Sequence, residues 1–195
     1  MHTEKVDAQD SLGATTLLGG SVGEQLSVTG RYDVKCLDAD GNLKWEDSIQ
    51  NLVVNVGKAN LLNVYLGAAT QTTAWYMGLV DSSGFVNYNS GDTMATHVTG
   101  WTESAAYDNA TRPQITFGTG TASGGGVNSP GTGTITNPSA VTFTMNATAT
   151  IQGAFLTTNN TKSGTTGTLY SAGSFAIARG VILGDQLLVT YTAQS

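Results

Sequence analysis

A chain of 195 residues with only 11% charged side chains and a formal charge of −6 suits one sizeable domain with a buried core, or a domain plus an arm. Its low charge argues against ordinary disorder, which pairs low hydrophobicity with high net charge. The acidic balance, without any Lys/Arg cluster, disfavours a nucleic-acid partner.

No apolar run reaches the roughly 18 residues that a membrane span needs, so no membrane partner is expected. The first residues lack the basic and apolar regions of a secretory signal, which gives the expectation of a protein made and folded in a reducing cytoplasm. Cys36 is the single cysteine, so an intrachain disulfide or a cysteine-based zinc cluster is impossible. The 25 glycines, at least as many threonines, and Val, Ile and aromatics describe pleated strands joined by turns. The class is all-β.

Residues 1–24 hold no sustained period of 2 or 3.6 and are read as an extended N-terminal arm, with the domain at 25–195. Within the arm, Leu17, Leu18 and Val22 are read as apolar anchors. From Gln25 the pattern alternates: Leu26, Val28, Gly30, Tyr32, Val34 and Cys36 share one face, with polar residues between them. Cys36 is therefore expected as a small buried hydrophobe. Asp40-Gly41 marks a hairpin turn, and Leu43, Trp45 and Asp47 carry the returning strand. After Gly57 the spacing changes, and Ala59, Leu61, Leu62, Tyr65 and Leu66 suit a short helix ending at Gly67. Trp75 to Asp81 reads as a buried strand. The next 30 residues read as a long, partly ordered loop pinned by Trp101 and Tyr107. A strand resumes at Gln114–Phe117, and the Gly-, Thr- and Ser-rich run from Gly118 to Pro138 is either a flexible loop or a surface turn region. Four further strands are expected at 140–145, 149–157, 169–178 and 186–193. The architecture that fits is an antiparallel β-sandwich or jelly roll with one short helix.

Chemistry-bearing patterns are sparse. The turn Asp38-Ala39-Asp40-Gly41-Asn42 departs from a calcium loop, because Gly falls fourth and no Glu follows at position twelve. It reads as a hairpin. His97 has Asp92 and Glu103 nearby in sequence, yet no Gly-x-Ser-x-Gly elbow accompanies it. A hydrogen-bonded histidine bracing the long loop is the better account. Asp81, Asp92, Glu103 and Asp108 form the one carboxylate cluster that glycoside hydrolysis could use, at loose spacing. Gly124-Gly125-Gly126 lacks the Lys-Ser/Thr of a phosphate loop. Trp45, Trp75 and Trp101 could make a sugar-stacking surface, but their apolar-periodic settings favour core or loop anchors. No catalytic residue, metal ligand or cofactor site is assigned.

Several motifs stand out as a set. They are the Asp-Gly-Asn hairpin, Asn51-Leu52-Val53-Val54-Asn55-Val56-Gly57 with Leu61-Leu62, Trp75-Tyr76-Met77-Gly78-Leu79-Val80-Asp81, Asp92-Thr93-Met94-Ala95 and Gly100-Trp101-Thr102-Glu103. Gly153-Ala154-Phe155-Leu156, Gly167-Thr168-Leu169-Tyr170 and Leu183-Gly184-Asp185-Gln186-Leu187 continue them. Together they resemble a family of small structural proteins of tailed bacteriophages, over roughly residues 30–192. The resemblance implies a virion component on the capsid exterior: a capsid cement or head-decoration protein, non-enzymatic, whose partners are the major capsid protein and its own copies, as a homotrimer. Some members carry tail-fibre labels, so a tail module recognising a host glycan is the alternative it implies. On the cement reading, Leu17, Leu18 and Val22 are the expected capsid contacts of the arm.

Overall fold

The computed structural model describes residues 28–125 and 131–195. The arm, with Leu17, Leu18 and Val22, lies outside the described residues, as does Gly126. Eleven strands and one helix follow in order. They are β1 (Thr29–Leu37), β2 (Leu43–Val53), α1 (Asn55–Tyr65), β3 (Trp75–Asp81), β4 (Glu103–Ser104), β5 (Gln114–Ile115), β6 (Thr121–Ser123), β7 (Thr132–Thr136), β8 (Val141–Thr144), β9 (Ala149–Thr157), β10 (Leu169–Val181) and β11 (Gln186–Gln194). Every pairing is antiparallel, in the order β4-β3-β9-β10-β2-β1-β11-β7-β6, with β5 added to β3 and β8 to β11. The chain folds as an all-β antiparallel sandwich.

The pivot of the sandwich is β2. Its residues Leu43 to Gln50 pair with β1, whereas Asn51 to Val53 pair with β10 in the second sheet. One strand therefore belongs to both layers, which is how an open sheet can turn a corner without a break. Inside, β1 supplies Tyr32, Val34 and Cys36 to the core, as its alternation predicts. They meet Met77 and Leu79 of β3 and Leu156 of β9. The Tyr32 hydroxyl bridges the layers to Ser171 Oγ at 2.8 Å, so this buried polar tip is satisfied.

The second sheet is covered on both faces. In β3 the consecutive residues Met77, Gly78, Leu79 and Val80 are all buried, and in β9 so are Gly153 to Thr157. Continuous burial rather than alternation is what a strand with two covered faces requires. The outer cover is the segment between β3 and β4. Met94 and Trp101 from it join Val80, Phe155 and Leu169 in a second, smaller core.

Two expected boundaries move. Strand β2 runs on to Val53, and the helix begins at Asn55, four residues ahead of the spacing signal. Gly57, read as a boundary, is the helix's buried residue: a Cβ there would collide with the Tyr170 backbone. The Gly-rich stretch from 118 carries the β6–β7 hairpin, which extends the first sheet beyond β11.

Candidate functional site

Among the described residues, four polar assemblies and one apolar groove stand out. The largest assembly is built on Arg112, fully enclosed between the 103–112 segment and the 158–168 loop. Its side chain has 0% exposure, and that of Glu103 has 2%. Arg112 Nη2 donates to Glu103 Oε2 at 2.7 Å and Nε donates to both carboxylate oxygens at 3.1 Å. The remaining donors reach the carbonyls of Asn159 (2.9 Å) and Gly164 (2.8 Å). Glu103 also accepts from the Tyr107 hydroxyl and the Ser163 backbone N–H. Lys162 closes the assembly by donating to the Tyr107 carbonyl at 2.7 Å, its ammonium lying over the Tyr107 ring. A carboxylate held by four donors through five contacts is a structural anchor with its lone pairs engaged.

The second assembly braces the outer cover. Trp101 Nε1 donates to Asp92 Oδ2 at 3.1 Å, and the same oxygen accepts from the Asn89 N–H. His97 stacks on Trp101 with ring centroids 4.0 Å apart, and its Nδ1–H donates to the Trp101 carbonyl at 3.1 Å. The histidine is thus the hydrogen-bonded loop brace expected from sequence. Among the described residues that bond is the one its ring makes, so no nucleophile–base pair is assembled. Burial pushes the imidazole below its ordinary value of 6.5. The neutral form is favoured in the fold, so the unfolded chain binds more protons just below pH 6.5 and stability falls as pH drops through that window. Thermal midpoints of the wild type should decline between pH 7.5 and 5.5, while His97→Phe, which keeps the stack, flattens that decline. Parallel curves for the two proteins would remove His97 as the cause. The Asp47 carboxyl, lowered by its bond to Arg179, adds stability that is lost only as pH falls through and below its ordinary value of 3.8.

Third, Asp185 is buried at the β10–β11 turn and accepts from Lys44 Nζ at 2.6 Å and from the Ile182 N–H at 2.9 Å. Cys36 lies beside it, buried as expected, and burial with the neighbouring carboxylate pushes its thiol up to about 11. Such a thiol is inert at neutral pH. Fourth, Asp47 pairs with Arg179, whose guanidinium lies over Trp45.

The sequence-level carboxylate cluster is therefore dispersed. Glu103 is locked by Arg112 and Asp92 by Trp101. Asp81 caps its own turn through the Ser83 N–H, and Asp108 is exposed. Asp38 accepts from the backbone N–H groups of Asp40 and Asn42, with Gly41 at φ 86°, which is the hairpin expected. Among the described residues no group of three His, Cys, Asp or Glu is placed to hold a metal, and no helix is long and apolar enough to cross a membrane. Trp101 belongs to the second core, whereas Trp45 and Trp75 pack against the first, so the three do not form a shared sugar-stacking face. Arg112 escaped sequence reasoning, because a lone Arg in an aperiodic loop carries no pattern.

The groove lies where α1 crosses the open end of the sandwich. Two adjoining hollows of about 600 and 520 Å³ share Leu61, Ile135, Tyr170 and Ala193. Volumes of this order are those of ligand-binding clefts. Its rim is apolar and exposed: Tyr65 is 86% accessible, with Leu62 and Leu66 beside it. The opposite end of β1 and β11 carries the 38–42 and 182–185 turns, where Leu43, Ile182 and Leu183 are exposed. Compared with known proteins, the chain matches no family model and no curated protein.

Proposed function

We propose that this chain is a non-enzymatic structural protein of a tailed-bacteriophage virion, a capsid cement or decoration protein that bridges neighbouring major capsid subunits. The observation that carries the reading is the turn end of the sandwich. There Leu43, Ile182 and Leu183 stand exposed on a frame fixed by Asp185, Lys44 and the Asp38 turn. Large apolar side chains held outward by rigid turns suit protein contact, since little ordering entropy remains to be lost on binding. The resemblance of the motif set suggests the virion, and the exposed turn end is a surface suited to protein contact.

Each of the described ionisable clusters ties one segment to another. A trimer seated on a capsid symmetry axis would present three such ends at once, and avidity would multiply modest single contacts. Immunogold labelling of intact virions tests the location: gold over the head is expected, and gold confined to the tail tip would overturn the reading. The contact surface is tested with Ile182→Asp/Leu183→Asp. Burying one such side chain is worth about 1.5–3 kcal/mol, so the double variant should bind capsids at least about tenfold more weakly. Its thermal midpoint should be unchanged, because both side chains already face solvent. Undiminished binding would move the contact elsewhere on the body.

A further inference from the structure

The apolar groove between α1, β7 and the end of β11 has an occupant that the chain itself can supply. We propose that it is the docking site of the same chain's N-terminal segment, with Leu17, Leu18 and Val22 filling the hollows. This stands whether or not the partner of the turn end is a capsid.

Four observations converge on that occupant. The first is chemical: among the described residues neither hollow is lined by an Asp, Glu, Lys, Arg or His side chain. The segment from Ser11 to Gly23 is likewise uncharged, bounded by Asp10 and Glu24. Hydrocarbon side chains can enter such a groove without desolvating a charge. The second is position. Val28, the first described residue, is itself part of the groove lining, and Thr29 pairs with Gln194 at its margin. The described chain therefore begins at the groove's mouth.

Reach is the third. Val22 lies six residues before Val28, a span of up to about 20 Å of extended chain, so all three apolar residues can return to the hollows. The fourth is competition. A short tether gives the segment an effective concentration on the order of millimolar, far above that of a second copy in dilute solution. The segment contributes side chains and not a strand, because β7 is already paired on both sides, to β11 and β6.

The test uses the full chain carrying Leu18→Cys with a nitroxide spin label; Cys36 is buried and stays unlabelled. Amide resonances of Leu61 to Leu66 and Gly133 to Ile135 should be broadened severalfold relative to those of the 38–42 turn. Broadening should vanish in a mixture of isotope-labelled wild type with unlabelled, spin-labelled chain. It should also vanish when Leu17→Ser and Val22→Ser are added to the labelled protein. Uniform intensities in the labelled chain would overturn the proposal. So would broadening in the mixture, which would make the occupant a second copy's segment.

Discussion

Replacing Arg112 by Met should destabilise the fold by about 3–5 kcal/mol, the range for breaking a buried ion pair by removing one partner. The reason is the charge left behind. Glu103 would keep its Tyr107 and Ser163 donors but lose three of its contacts, all from the one guanidinium. The carbonyls of Asn159 and Gly164 would be orphaned at the same time. Urea denaturation reads the effect as a drop in midpoint at constant slope. The double variant Arg112→Met/Glu103→Leu should recover much of the loss, because two apolar groups can replace a buried pair at little net cost. Equal destabilisation by the single and double variants would mean that the carbonyl contacts, and not the ion pair, dominate. Hydrogen exchange should localise the damage to residues 158–168, the loop that the guanidinium holds against the body.

Where hydrophobic period decides structure, the chain is readable. Strand β1 alternates because one face meets the core, and Tyr32, Val34 and Cys36 are buried accordingly. The Asp38–Asn42 turn is readable because its backbone geometry requires Gly41. Period fails where burial depends on a partner remote in sequence. Leu62, Tyr65 and Leu66 look like a core-facing helical stripe, yet they face outward, because Gly57 is the residue that lets α1 approach β10. The groove they border follows from that placement and has no signature of its own. Arg112 is opaque for a related reason: two of its partners are backbone carbonyls 47 and 52 residues away. Carbonyls look alike in every residue, so no side-chain pattern announces them.

The outer cover poses the sharper question of whether a loop of about 20 residues can be part of the core. Trp101→Ala should cost about 3–5 kcal/mol, the usual range for emptying a fully buried indole site. Trp101→Phe should cost about 1–3 kcal/mol, since the ring contact persists while Asp92 Oδ2 loses its indole donor. The Ala variant should also raise exchange of the β3 and β9 amides, because Met94 and Trp101 of this segment cover their outer face. A cost below about 1 kcal/mol for Trp101→Ala, of the size expected at surface sites, would show that the cover folds independently of the sandwich. Coupling gives a second reading of the same experiment. The Trp101 ring lies 5.1 Å from that of Phe155, and the Arg112 guanidinium lies 5.1 Å from the same ring. Both assemblies therefore press on one side chain of β9. Residues that share a partner are non-additive, so Trp101→Ala combined with Arg112→Met should cost less than the sum of the two. Strict additivity would mean that the cover and the ion-pair clamp act on the sheet separately, with Phe155 transmitting nothing between them.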